Sequence, residues 1–196
     1  MSSGEFIQID LLRHGETEGG ARYRGVIDDL LTAAGHEQMW AAVNHDDHWQ
    51  GIVSSPLRRC AEFAHALAQH RSLPLRIDER LREMNFGAWE GRSAAELMTT
   101  EPDALARFWQ DPWNNGPAGG EPLQQMQTRV LAAWSDIVAE HRPLLVISHG
   151  GPIRVILCHV LGSPQDKLLE IDVPHAARRR LQVRGDKPHL CEAHAS

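Results

Sequence analysis

The stretch Phe6-Ile7-Gln8-Ile9-Asp10-Leu11-Leu12-Arg13-His14-Gly15-Glu16-Thr17 alternates, closes into an apolar run and then breaks into polar residues. Alternation that ends in an apolar run reads as a central strand, and the polar break marks its carboxyl end. The pattern recurs. Gly51-Ile52-Val53-Ser54 precedes Ser55-Pro56-Leu57-Arg58-Arg59, and the weaker Leu75-Arg76-Ile77 precedes Leu81-Arg82-Glu83-Met84-Asn85-Phe86-Gly87. The most apolar run, Leu144 to Ser148, precedes His149-Gly150-Gly151-Pro152.

Helical patterns fill the intervals. Thr32 can cap a helix over about 33–44, with Met39, Trp40 and Val43 at helical spacing. Ser55 and Pro56 read as N-cap and first residue of a helix reaching about His70, with Cys60, Phe63 and Leu67 inward. A long helix is expected from Glu121 to about Glu140, with Met126, Val130, Trp134 and Ile137 on one face, and another up to Leu161, with Gly162 as its stop. Leu181-Gln182-Val183 and His189-Leu190-Cys191 can add one or two edge strands. Strands alternating with helices imply an α/β fold with a mostly parallel central sheet, helices on both faces and an antiparallel edge strand.

With 196 residues, the chain is expected to form one domain over 1–196. An insertion of loops and short helices is expected at about 84–120, covering the active site, because Trp89, Phe108, Trp109 and Trp113 need something to pack on. Hydrophobic content of 42% with 23% charged residues is globular composition and excludes a disordered or fibrous chain. No apolar run approaches the roughly 18 residues of a membrane span, and Met1 to Glu5 lack the basic and apolar segments of a signal peptide. Three widely spaced cysteines, Cys60, Cys158 and Cys191, favour free thiols in a reducing compartment, so a cytoplasmic protein is expected. A net charge of −6 argues against nucleic acid as a partner. All but Lys167 and Lys187 of the 20 basic residues are arginine, the side chain that grips phosphate with a rigid fork.

In parallel sheets ligands bind beyond the carboxyl ends of the strands, so the polar residues there carry the chemistry. Arg13, His14, Arg58, Glu83 and His149 converge on that edge, and arginines with histidines make an anion pocket suited to a phosphoryl group. Arg58 would sit in the first turn of its helix, where unpaired N–H groups and the helix dipole favour an anion.

Arg13-His14-Gly15-Glu16-Thr17 resembles the signature of the histidine phosphatase superfamily, the fold of phosphoglycerate mutases and many small phosphatases. Ser54-Ser55-Pro56-Leu57-Arg58-Arg59, Leu81 to Gly87 with Trp89-Glu90-Gly91, Gly119-Gly120-Glu121 and Ser148-His149-Gly150-Gly151 follow in family order, across about residues 6 to 183. The resemblance implies that His14 attacks phosphorus to give a phosphohistidine, one ring nitrogen being free at neutral pH. It implies that Arg13, Arg58 and His149 bind the phosphoryl oxygens, with the Gly150 N–H and the Thr17 hydroxyl as further donors. Glu83 would protonate the leaving alkoxide and then take a proton from the attacking water. No metal or cofactor is implied: magnesium-dependent phosphatases gather several carboxylates, and Glu83 is the one placed here.

Gly20 stands where mutases of the family carry an Asn, and the chain is shorter than a mutase; both favour a phosphatase acting on a small-molecule phosphomonoester. Arg13 to Gly20, then Tyr23-Arg24-Gly25 and Asp28-Asp29, together with Leu81 to Gly91, are similar to bacterial alpha-ribazole phosphatases. That similarity implies alpha-ribazole 5′-phosphate, or its cobamide form, as substrate in cobalamin assembly. Gly19 and Gly20 would admit a nucleoside, and Tyr23 or Trp89 would stack on its base. A broad sugar-phosphate phosphatase, a phosphoglycerate mutase-like enzyme and an inactive phosphate-binding module stand as alternatives, and homodimerisation stays open.

Several conspicuous groups have plainer readings. Arg59 and Arg82 adjoin key residues and are expected to make surface or structural ion pairs. His45-Asp46-Asp47-His48 reads as a solvated turn rather than a metal site, and Arg178-Arg179-Arg180 as a solvated face. Trp89 and Trp113 are the tryptophans expected to line a pocket. His65, His70, His175 and His194 have no assigned role.

Overall fold

The computed structural model describes residues 6–45, 47–184 and 187–191. Met1 to Glu5, Asp46 and His194, all touched by the sequence reading, lie outside the described residues. Six strands form one sheet: β1 (Ile7–Arg13), β2 (Ile52–Ser54), β3 (Leu75–Ile77), β4 (Leu144–Ser148), β5 (Arg178–Arg184) and β6 (Lys187–Leu190), in the order β3-β2-β4-β1-β5-β6. The β3–β2, β2–β4 and β4–β1 pairings are parallel, while β1–β5 and β5–β6 are antiparallel. The sheet is thus mostly parallel with an antiparallel edge.

Residue alternation assigns each face its own core. Ile9, Leu11, Leu144 and Val146 face one apolar cluster, which includes α5 (Leu123–Ala139) and α6 (Gly150–Leu161). Leu12, Leu145 and Ile147 face the other, with α1 (Ala33–Ala41) and α2 (Arg58–Arg71). Met126, Val130, Trp134 and Ile137 are all buried along α5, and Cys60, Phe63 and Leu67 along α2. Thr32 caps α1, its hydroxyl accepting from Gly35 N–H at 2.9 Å.

The start of α2 differs from the expected Pro56. Leu57 is extended (φ −66°, ψ 137°) and the helix opens at Arg58. The Ser55 hydroxyl lies 2.6 Å from Nε2 of His149, a contact that draws this residue toward the active edge. Residues 84–120 carry α3 (Ala94–Thr100), held by a Ser93–Glu96 capping box, and α4 (Pro102–Gln110). Trp89 anchors this segment from beneath: it is 2% exposed, with its ring 5.3 Å from Phe108 and 5.5 Å from Tyr23.

The acidic turn and the arginine triplet correct their solvated readings, because they meet. Asp10, buried in β1, accepts from Arg180 Nε at 3.0 Å and from Trp49 Nε1 at 3.0 Å. Asp47 accepts from Arg178 Nη1 at 2.5 Å and Arg180 Nη2 at 3.1 Å. Among the described residues no trio of His, Cys, Asp or Glu is placed to hold a metal ion, and no helix is long and apolar enough to cross a membrane.

Removing one member of such a buried network strands its partners. Asp10→Ala is expected to lower the unfolding free energy by about 3 kcal/mol, read from urea denaturation, because the Arg180 Nε–H and the Trp49 N–H lose their acceptor.

Candidate active site

Strand register builds the site. Arg13 is paired with Ser148 across β1 and β4, so the next residues, His14 and His149, leave the sheet side by side, with rings 5.2 Å apart. The His14 N–H donates to the Ser148 carbonyl at 3.0 Å, and the Ala176 N–H donates to the His14 carbonyl at 3.1 Å. Beyond these strand ends opens a cavity of about 540 Å³.

His14 is 7% exposed and lines the cavity. Its Nδ1–H donates to the Gly15 carbonyl at 2.8 Å, which fixes the tautomer and leaves a lone pair on Nε2. Burial first, then the charges of Arg59 and Arg13, push its pKa well below the usual imidazole range, so the ring stays neutral at physiological pH. A neutral imidazole with one oriented lone pair is a nucleophile.

Arg13 donates from Nη1 to the Val173 carbonyl at 2.7 Å, while its buried Nε–H has no acceptor among the described residues. A buried donor without an internal partner beside a cavity is free to bind an acceptor that enters it. The second guanidinium is Arg59, not Arg58. The Arg58 side chain points outward and pairs with Glu62 at 2.9 Å, roughly half exposed. Arg59, 1% exposed, borders the cavity and donates from Nε to His149 Nδ1 at 3.2 Å. The physical reason is helix phase: with α2 starting at Arg58, Arg59 lies four residues before buried Phe63 and shares its face.

His149 is fully buried behind His14 rather than lining the cavity. Accepting from Arg59 on Nδ1, it presents Nε2–H to the Ser55 hydroxyl, and burial and the Arg59 charge keep it neutral. Cys60 packs 3.6 Å from the same Nε2 and donates to the Ser148 carbonyl, its thiol pKa pushed up to about 12 by burial.

Glu83 reaches the cavity with its carboxylate fixed by two backbone donors, Met84 N–H at 2.9 Å and Gly151 N–H at 3.1 Å. A Cβ at residue 151 would stand 2.2 Å from Glu83 Oε1, so glycine is what lets the acid approach α6. Its backbone is held in turn by Arg129, which donates to the carbonyls of Arg80 (2.8 Å), Arg82 (2.7 Å) and Glu83 (3.1 Å) while paired with Glu121.

Thr17, Gly20, Tyr23 and Gly150 also line the cavity, and Tyr23 accepts at its hydroxyl from Trp109 Nε1 at 3.1 Å. Gly25 and Trp89 do not. Gly25 turns its N–H to Glu90 and its carbonyl to Arg59, and Trp89 is packed under Tyr23, where no base can stack on it. Trp113 packs against the core, whereas Trp109 faces the cavity.

Sequence reasoning missed Arg59, Arg154 and His175. Arg154, on α6, donates to the Ile171 carbonyl at 2.8 Å and borders the cavity. His175 stands with its ring 5.5 Å from His14, its pKa pushed down to about 4 by burial and Arg13. Helical spacing from Phe63 could have found Arg59; His175, in a loop between elements, left no periodic signal.

The model of the histidine phosphatase superfamily (branch 1) matches residues 9–194. The chain belongs to that family. It is 35% identical over 172 residues to a glucosyl-3-phosphoglycerate phosphatase of Mycolicibacterium vanbaalenii, covering 81% of this chain and 76% of that protein. Bacillus stearothermophilus YhfR superposes with a TM-score of 0.88 at 29% identity, over 97% of this chain and 98% of the other. The alpha-ribazole phosphatase from Shigella flexneri gives a TM-score of 0.84 at 25% identity, over 94% and 95%.

Two measurements separate the neighbouring arginines and read the histidines. Arg59→Ala is expected to lower kcat/KM on a phosphomonoester by about 100-fold or more, whereas Arg58→Ala, losing one exposed ion pair, leaves it within about threefold. The low pKa values of His14, His149 and His175 mean that the unfolded chain takes up protons near its ordinary imidazole pKa while the folded chain resists to about 4 at His175. Stability should therefore fall as pH drops from 7 toward 4, and the fall should be smaller in His175→Gln, read as the urea midpoint against pH.

Proposed function

We propose that the protein is a phosphomonoester hydrolase that works through a phosphohistidine at His14. The observation that carries this reading is charge balance in the cavity. Of the five arginines lining it, Arg22 is paired with Glu96 and Arg24 with Asp29, whereas Arg13, Arg59 and Arg154 have no carboxylate partner among the described residues. Against these three cations stands one lining carboxylate, Glu83. The positive excess suits a phosphate monoester dianion, and it is larger still when Glu83 carries the proton used in the first step.

In the first step Nε2 of His14 attacks phosphorus, the ester P–O bond breaks, and the leaving oxygen takes the proton of the Glu83 carboxyl. In the second, Glu83 takes a proton from water, the water oxygen attacks phosphorus, and the P–N bond breaks to release phosphate. Arg13, Arg59 and Arg154 stabilise the charge that spreads over the phosphoryl oxygens in both transition states. Positive charge for that purpose comes from arginine, so the reaction is expected to proceed without a divalent metal.

The leaving group faces an apolar wall of Tyr23, Phe86, Phe108, Trp109, Leu123 and Met126, and Gly20 leaves the mouth open, with nothing within 4 Å of where its Cβ would be. An aromatic wall in a cavity of about 540 Å³ suits a bicyclic base on ribose, so alpha-ribazole 5′-phosphate or its cobamide form is the substrate we favour, with Tyr23 and Trp109 contacting the base. The fold similarity to the Shigella flexneri enzyme supports this. The 35% identity to the mycobacterial relative supports a second reading, a leaving group bearing a carboxylate, as in glucosyl-3-phosphoglycerate. The unpaired thiols Cys60, Cys158 and Cys191 fit action in the cytoplasm.

The test is phosphate release in excess EDTA from alpha-ribazole 5′-phosphate, glucosyl-3-phosphoglycerate, 3-phosphoglycerate and sugar phosphates. Turnover is expected with EDTA, is abolished in His14→Ala, and is accompanied in a base-quenched Glu83→Gln reaction by acid-labile, base-stable phosphate on the protein. A kcat/KM at least tenfold higher for the ribazole, about 1.4 kcal/mol of transition-state discrimination, supports the favoured substrate. A tenfold preference for the phosphoglycerate glycoside would replace it with the second reading, and turnover retained in His14→Ala would overturn the mechanism.

A further inference from the structure

Glu90 lies outside the cavity and touches none of the reacting groups, yet its carboxylate collects the N–H groups of a whole loop. Oε1 accepts from Phe86 at 2.8 Å, Gly25 at 2.9 Å and Val26 at 3.1 Å, and Oε2 accepts from Gly25 at 3.1 Å and Ile27 at 3.2 Å. A carboxylate offers about four lone-pair sites and no donor, so this one is saturated by backbone. With the N–H groups of residues 25 to 27 drawn to one point, carbonyls of the same loop turn the other way, and they face Arg59. The Arg59 guanidinium donates from Nη1 to the Ile27 carbonyl at 2.9 Å and from Nη2 to the Arg24 and Gly25 carbonyls at 3.2 Å each. The loop is held between a buried-side cation and an anion, offering its acceptors to one and its donors to the other. Gly25 allows the fit: a Cβ there would stand 1.8 Å from the Met84 carbonyl oxygen and 2.6 Å from Glu90 Oε1.

We propose that Glu90 is a positioning residue for catalysis, acting through loop 24–27 to hold the Arg59 guanidinium at the phosphoryl site; this rests on the reading of Arg59 as a phosphoryl-binding cation. The alternative is that Glu90 only staples residue 86 to the loop and stabilises the fold. The two differ in one respect. A staple costs activity whatever stands at position 59, whereas a positioning residue has nothing to position once Arg59 is gone. Glu90→Gln is the sharp variant, because the amide sets N–H against N–H at one end of the cluster and pushes the loop carbonyls off Arg59.

The experiment is a double-mutant cycle of Glu90→Gln and Arg59→Ala, reading kcat/KM on p-nitrophenyl phosphate and the inhibition constant of orthovanadate, with the urea midpoint of each variant. Arg59→Ala alone tests the underlying reading: a loss under about tenfold removes Arg59 from the site and this proposal with it. Given that loss, Glu90→Gln alone is expected to cost about 30-fold in kcat/KM and to weaken vanadate binding, but to cost less than about threefold on the Arg59→Ala background. Additive losses, or a Glu90→Gln single variant with unchanged kcat/KM and vanadate binding, overturn the proposal while leaving Arg59 in its role. Glu90→Asp, which keeps the charge on a shorter arm, runs the same cycle with the same criteria should the glutamine variant fail to fold.

Discussion

The pairing of β1 with β4 is the constraint on which the active edge depends. Two parallel strands in register, Arg13 beside Ser148, deliver His14 and His149 together from positions far apart in the chain. A slip of β1 by one residue would turn Leu12 into the wrong core and set His14 and His149 on opposite sides of the sheet. Burial of the alternating residues on both faces therefore fixes the chemistry as firmly as it fixes the fold. β2 lies on the other flank of β4, Ser54 beside Ile147, and so brings Ser55 and the first turn of α2 to the same place.

The second organising fact is electrostatic. Guanidiniums with no carboxylate partner crowd a low-dielectric cavity, and each raises the cost of any further positive charge there. The imidazoles respond by staying neutral, which is the state a nitrogen nucleophile requires. The same crowding is costly to the empty protein, and the backbone absorbs it: carbonyls of Val173, Ile27, Arg24, Gly25 and Ile171 take donors from Arg13, Arg59 and Arg154. Neutral dipoles orient the arginines without cancelling their charge, so the cations remain available to an arriving anion.

Much of this was legible in the chain. Strand ends are marked by apolar runs that break into polar residues, and those breaks located Arg13, His14, Glu83 and the turn at Gly150. What the sequence concealed is phase and partnership. Arg58 and Arg59 differ by one helical step of about 100°, and choosing between them needs the phase of the helix, which opens at Arg58 rather than at Pro56. Glu62, four residues after Arg58, and Phe63, four after Arg59, carry the distinction between the solvent face and the buried one. Trp89 was misplaced because aromatic character does not say whether a ring borders a cavity or supports it. Asp47 and Arg180 are 133 positions apart, and no local pattern announces that they meet.

Cys60 has a consequence of a different kind. It sits within 4 Å of the His149 imidazole, behind the cavity rather than in it, as the one thiol in contact with the histidine pair. It is fully buried and its proton is held to about pH 12. Peroxides and alkylating agents react with the thiolate, which is scarcely populated here at neutral pH. The two imidazoles therefore stand beside a thiol that burial keeps protonated and out of reach of solvent, so their arrangement does not hang on the redox state of a cysteine.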